Sequence, residues 1–212
     1  MPQARLVSFG SVRVKPPPAG RGQRIGVMGG SFNPPHEGHR ILAATALRRL
    51  ALDRLWWVVT PANPLKPQAG LASQAARIAA SRAIAPRPRV TVTGFETELG
   101  TPYTAVTLAF LVRRYPTTRL VWVMGADNLA TFHRWRQWRD ITRLVPIAVV
   151  DRPGWRLKAL ASPAGRALAR ARLPESRAAV LVRHRPPCWV LLTTRLSPAS
   201  STALRQRPAG GG

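Results

Sequence analysis

The chain has 212 residues and sets 33 lysines and arginines against 8 aspartates and glutamates, a formal net charge of +25. Apolar residues make up 45% and charged residues 19%, a globular composition that excludes a chiefly disordered chain, and no apolar run reaches the roughly 18 residues of a membrane helix. The single cysteine, Cys188, excludes an internal disulfide and makes no demand for an oxidising compartment; with no apolar signal-type stretch in the first 15 residues, a cytoplasmic location is expected. Only Lys15, Lys66 and Lys158 are lysines, and the arginines are scattered rather than blocked. That scatter argues against a polynucleotide or membrane partner and for small phosphate anions.

Residues 1–23 read as a flexible, basic, proline-rich arm, with Pro16-Pro17-Pro18 non-helical. A single folded domain is expected over 24–207, with a disordered tail at 208–212. Within it, strand-like and helix-like segments alternate. Ile25–Met28 is a short apolar strand, and Gly38–Ala51 is helical, with Ile41, Leu42, Leu47 and Leu50 on its apolar side. Leu55–Thr60 is a buried strand, Leu71–Ile84 an alanine-rich helix, Val90–Phe95 an alternating strand, and Thr104–Tyr115 a helix stopped by Pro116. Leu120–Met124 is a strand, Asn128–Leu144 one or two short helices, and Ile147–Asp151 a buried strand stopped by Arg152-Pro153-Gly154. Trp155–Ala171 reads as one basic helix, Trp189–Thr193 as a last strand and Ser200–Arg207 as a last helix. Continuous apolar strands between helices argue for an α/β fold, a parallel sheet covered on both faces. In such sheets ligands bind at the carboxyl ends of the strands.

The first of those ends carries Gly29-Gly30-Ser31-Phe32-Asn33-Pro34-Pro35-His36-Glu37-Gly38-His39. Gly29 and Gly30, lacking Cβ, allow a sharp turn and close backbone approach to a ligand. The loop delivers polar groups to a helix N-terminus, where unpaired N–H groups and the helix dipole favour an anion. His36 and His39, three residues apart, fall on one face of the first turn. Three readings fit them: a zinc site of the His-x-x-His kind, which lacks a third nearby ligand except Glu37; two exposed loop histidines; or imidazoles that donate to negative charge developing on a phosphate.

The same run resembles the His-x-Gly-His signature of the nucleotidylyltransferase superfamily, shared by class I aminoacyl-tRNA synthetases; it is not a P-loop, since no Gly-Lys-Ser/Thr follows. The stretch from Ile25 to Arg205 is similar to the bacterial nicotinate-nucleotide adenylyltransferase family in six segments. These are Gly29–His39, Thr60–Pro67, Tyr103–Leu108, Gly125–Leu129, Phe132–Trp135 and Ser200–Arg205. The resemblance implies a Rossmann-like, doubly wound parallel sheet. It implies adenylyl transfer from ATP to nicotinate mononucleotide, releasing pyrophosphate and forming deamido-NAD.

By the same resemblance, His36, His39, Lys66 and Arg205 are the catalytic candidates. Gly29, Gly30, Ser31, Phe32, Gly125, Asp127, Ser201 and Thr202 are candidates for ATP and phosphate. Asn63, Tyr103, Thr104 and Trp135 are candidates for the nicotinate nucleotide, Trp135 by stacking on the pyridine ring and the Tyr103-Thr104 turn by holding the carboxylate. Each has a plainer reading too: Lys66 as a solvated loop lysine, Thr104 and Asp127 as helix caps, Ser200–Arg205 as a capped short helix. Trp138 reads as core, and His133 as core or surface. No protein nucleophile suggests itself, so catalysis is expected from positioning and charge stabilisation. Magnesium is the expected cofactor, carried with ATP because acids are scarce. Alternatives that remain are adenylyl or cytidylyl transfer to another phosphate acceptor, and a non-catalytic basic RNA-binding protein.

Overall fold

A computed structural model describes residues 14–61 and 70–194. Its strands are β1 (Arg24–Gly30), β2 (Arg54–Val59), β3 (Val90–Thr93), β4 (Arg119–Gly125), β5 (Ile147–Val150), β6 (Arg172–Leu173) and β7 (Trp189–Leu192). Its α-helices are α1 (Glu37–Arg49), α2 (Gln74–Ile84), α3 (Thr104–Arg114), α4 (Ala126–Thr131), α5 (Trp138–Leu144), α6 (Arg156–Ala161) and α7 (Pro163–Ala167). The strands form one parallel sheet in the order β3-β2-β1-β4-β5-β7-β6. The chain reverses its direction of travel between the neighbouring strands β1 and β4. That switch point opens a crevice beyond their carboxyl ends.

Strand alternation sends neighbouring side chains to opposite faces. Trp57 joins the core beneath α1, while Trp56 joins the one beneath α3, α4 and α5, and both are fully buried. The two cores hold the continuous apolar runs read from the sequence.

Two stretches differ from expectation. Trp155–Ala171 is not one helix. Pro163 disfavours the α conformation for the residue before it, and Ser162 is extended (φ −64°, ψ 158°). Ser162 ends α6 and caps α7, its hydroxyl accepting from the Gly165 N–H at 3.0 Å. The short strand β6 and the 3-10 segment Glu175–Arg183 are additions to the expected elements. The expected last helix, 200–207, and the tail lie outside the described residues.

Residues 14–23, the latter part of the proline-rich stretch, pack along the α3 side of the sheet. The Tyr115 hydroxyl donates to Pro17 O at 2.8 Å, the Lys15 N–H to Glu98 Oε2 at 2.8 Å, and the Gly22 N–H to Thr117 O at 2.9 Å. Val14 and Ala19 pack against the α3-side core.

Gly29 has a packing reason that the loop pattern does not reveal. A Cβ there would stand 2.7 Å from Trp122 Cη2, so the missing side chain makes room for a core tryptophan. Gly29→Ala therefore overpacks the core at a cost of about 1–3 kcal/mol. Thermal unfolding should shift down by roughly 2–4 °C per kcal/mol. An unchanged melting temperature would show that Trp122 is not confined.

Candidate active site

β1 ends at Gly30, and the loop that follows is wedged open by Phe32. This residue is 1% exposed and takes a left-handed backbone (φ +48°) that non-glycine residues rarely adopt. Burial holds it there: its ring stacks on Trp57 (centroids 5.1 Å, interplanar 25°) and tilts against His39 (4.8 Å). The Phe32 ring is core, which leaves its backbone to meet a ligand. Gly30 belongs to the same arrangement, since a Cβ on it would meet the Phe32 ring at 3.2 Å.

The loop then enters α1 through a capping box made of two histidines. His36 is the N-cap, and its Nδ1 accepts from the Gly38 N–H at 3.1 Å. His39, three residues on, accepts the His36 N–H on its own Nδ1 at 3.1 Å. A ring nitrogen that accepts carries no proton, so each ring holds its proton on Nε2. The rings are 3.9 Å apart between centroids. The two side chains that sequence spacing placed on one face are thus in contact, with the same nitrogen of each committed to the backbone.

Charge at the switch point comes from β4 and β5. Asp127, in the first turn of α4, accepts from Arg152 Nη1 at 2.9 Å, while its Oδ1 is buried with no hydrogen-bond partner among the described residues. Gly125 makes this pair possible: a Cβ there would lie 2.3 Å from Asp127 Oδ1 and 3.0 Å from Arg152 Cδ. Burial, reinforced by the Arg152 guanidinium and opposed by Asp127, pushes His36 down from 6.5 to about 4. Sequence reasoning sees Arg152 only as part of a strand stop; its place after a buried strand, at the ligand end of the sheet, is the signal that could have found it.

On the other face Trp135 is half-buried. It stands edge-on to Phe132 (5.3 Å) and to Trp122 (6.3 Å), the tryptophan under Gly29. Trp138 packs edge-on to Phe132 at 5.8 Å, as core, and His133 is partly buried, its Nδ1 without a hydrogen-bond partner among the described residues. The Arg136 guanidinium lies 4.7 Å over the Tyr103 ring and so ties the Trp135 segment to the start of α3. Thr104 is not the cap of that helix but its first residue. Tyr103 is the N-cap and makes no side-chain cap bond, which leaves the first-turn amides without a hydroxyl cap. Beneath this turn Glu96 is 2% exposed. Its Oε1 accepts from the Thr107 hydroxyl at 2.7 Å, and burial pushes it up to about 7. Asn63, Lys66, Ser201, Thr202 and Arg205 lie outside the described residues.

The chain matches the family described as cytidylyltransferase-like over residues 27–207. It is 54% identical over 184 residues to the "Probable nicotinate-nucleotide adenylyltransferase" of Methylorubrum extorquens, covering 87% of this chain and 100% of the relative. The Rhizobium meliloti protein of the same name is 54% identical over 186 residues, 88% of this chain and 99% of its own. The chain belongs to the nicotinate-nucleotide adenylyltransferase family. The fold agrees: Plasmodium falciparum nicotinic acid mononucleotide adenylyltransferase complexed with NaAD superposes with a TM-score of 0.63 at 15% identity, covering 87% of this chain and 83% of that one. The same enzyme complexed with APC gives 0.61.

For an adenylyltransferase of this family, the histidine chemistry has a direct pH signature. A folded-state value below 6.5 means that the unfolded chain binds the His36 proton first. His36 therefore contributes stability that is present above pH 6.5 and lost as the pH falls toward 4. In an NMR titration of the folded protein the His36 ring should stay neutral until close to pH 4. A midpoint near 6.5 would contradict the buried, cation-facing environment.

Proposed function

We propose that this protein transfers the adenylyl group of ATP to nicotinate mononucleotide, forming deamido-NAD and releasing pyrophosphate in the synthesis of NAD. The observation that carries the reaction class is the imidazole pair at the switch point, with both Nδ1 atoms engaged by the backbone. The names of relatives more than half identical to the chain supply the acceptor.

A phosphate oxygen of the acceptor attacks the α-phosphorus of ATP in line. The new phosphorus–oxygen bond forms as the bond to the pyrophosphate oxygen breaks, and pyrophosphate leaves with that electron pair. The Nε2–H groups of His36 and His39 donate to the α-phosphate oxygens as charge builds there. Held neutral, His36 donates without presenting a fixed cation, and Arg152 supplies positive charge nearby. Lys66 and Arg205 are assigned to the phosphate chain, Ser201 and Thr202 to phosphate oxygens, and Gly29–Phe32 and Gly125 to backbone contact. Asp127 is assigned to the nucleotide ribose, Asn63 and the Tyr103-Thr104 turn to the nicotinate nucleotide, and Trp135 to its ring, where stacking adds about 0.5–1.5 kcal/mol beyond burial.

The Cys188 thiol is buried and pushed up to about 11, which supports a route without a cysteine nucleophile. Magnesium is assigned to ATP itself. Among the described residues no three His, Cys, Asp or Glu side chains gather as metal ligands, and the Asp127 carboxylate is engaged by Arg152. No described helix is long and apolar enough to cross a membrane. A cytoplasmic location remains part of the proposal, supported by a cysteine that needs no oxidised partner.

The test is pyrophosphate release with magnesium and ATP, comparing nicotinate mononucleotide, nicotinamide mononucleotide and no acceptor. Release should depend on acceptor and favour the nicotinate form; equal release with both mononucleotides would overturn the acceptor assignment. His39→Ala should lower kcat by about 10²–10³, while losing its half of the α1 cap costs only about 1 kcal/mol of stability. Near-normal kcat in folded His39→Ala would remove the donor role.

A further inference from the structure

Arg77, in the first half of α2, is 2% exposed. Its guanidinium donates to four backbone carbonyls: Nε to Ala72 O at 2.9 Å, Nη1 to Ser31 O at 2.7 Å and to Thr60 O at 2.8 Å, and Nη2 to Pro61 O at 2.8 Å. These carbonyls come from three separate segments: the loop after β1, the end of β2 and its loop, and the turn into α2. No carboxylate is among the partners. The chain's eight acidic residues all fall within the described ranges. Six of them pair with other arginines: Glu37 with Arg40, Asp53 with Arg24, Asp127 with Arg152, Asp140 with Arg143, Asp151 with Arg156 and Glu175 with Arg49. Glu96 accepts from Thr107, and Glu98 from the Lys15 N–H.

Burying a cation without a counter-charge is costly, and burial lowers the Arg77 pKa from its ordinary value. An apolar side chain would fill the same volume without that cost. What it cannot do is hold three segments at once. The planar guanidinium fixes donor directions that a flexible ammonium does not. Because a trans peptide points its C=O and the next N–H in opposite directions, binding Ser31 O also sets the direction of the Phe32 N–H, inside the loop that leads to His36. Neighbouring contacts bind the same segments. Asn33 Nδ2 donates to Gly70 O at 3.0 Å, and the Gln74 amide donates to Val59 O at 2.8 Å while accepting from the Thr97 hydroxyl.

We propose that Arg77 is a positioning residue for adenylyl transfer: its guanidinium locks the loop after β1 to the loop after β2, so that the imidazole pair and the Thr60-Pro61 segment address one nucleotide. This rests on the reading of those loops as the phosphate site. The charge acts in the same sense, as a buried cation behind a loop that meets phosphate.

The test compares the wild type with Arg77→Lys, and with Arg77→Ala in the absence and presence of guanidinium or methylammonium, all well below their unfolding temperatures. Arg77→Lys should remain folded and lose about 10²-fold in kcat, with both KM values moving by no more than about threefold. Guanidinium should restore part of the kcat of Arg77→Ala, and methylammonium should not. In parallel, backbone amide exchange in Arg77→Lys should quicken together in peptides covering 29–36 and 58–61 and stay unchanged in β4 and β5. A lowered melting temperature with kcat within about twofold of the wild type, or faster exchange confined to α2, would overturn the proposal and leave Arg77 a structural residue. If the wild type itself releases no pyrophosphate with nicotinate mononucleotide, the acceptor assignment falls. The exchange result then decides the clamp alone, joint loosening upholding it and loosening limited to α2 refuting it.

Discussion

Two backbone amides at the start of α1 decide which nitrogen each imidazole can offer. The Gly38 and His36 N–H groups occupy the Nδ1 atoms of His36 and His39, and a helix must satisfy such first-turn amides in any case. Helix capping and proton placement are therefore one interaction. With Nδ1 taken, the proton of each ring sits on Nε2, and burial beside Arg152 keeps His36 in that form across the physiological range. A capping residue such as serine would satisfy the amides equally well but would present no pair of imidazole N–H donors.

The surrounding packing makes this arrangement rigid. The Phe32 ring, between Trp57 and His39, fills the space under the loop, and its left-handed backbone is tolerated because the ring is buried. Trp122 does the corresponding work on the other face: it occupies the space where a Gly29 side chain would stand and meets Trp135 edge-on. The imidazole pair and the aromatic segment at the start of α5 lie on opposite faces of the sheet, yet both are braced by tryptophans of its central strands. Arg77 links the β1 and β2 loops in turn, so the ligand end of the sheet is held from three sides.

The alternation of strand and helix is readable in the sequence because parallel strands buried on both faces appear as uninterrupted apolar runs. The histidine loop is readable because its residue types and spacing are unusual together. Other features depend on residues distant in sequence. Nothing near Gly29 indicates that Trp122 fills its missing Cβ, and nothing near Arg77 or Arg152 distinguishes them from the other arginines of a strongly basic chain. Thr104 is a good cap by type, but the helix begins at Thr104 itself, and Tyr103 takes the cap position without a side-chain bond. The break at Ser162 is legible in principle, since Pro163 restrains the residue before it, but the basic and apolar periodicity runs through the break and conceals it. β6 has only two residues, one of them Arg172, too short for any pattern to register.

On the proposed mechanism, catalysis in this site is a matter of holding reactants and stabilising charge, with no bond formed between adenylyl group and protein. The stereochemical course at the α-phosphorus tests this most directly. ATP carrying sulfur at one defined α-oxygen position would be converted with nicotinate mononucleotide and the configuration of the product determined. A single in-line displacement predicts inversion. Retention would mean two displacements through an adenylylated side chain, and would contradict the role of His36 and His39 as donors alone.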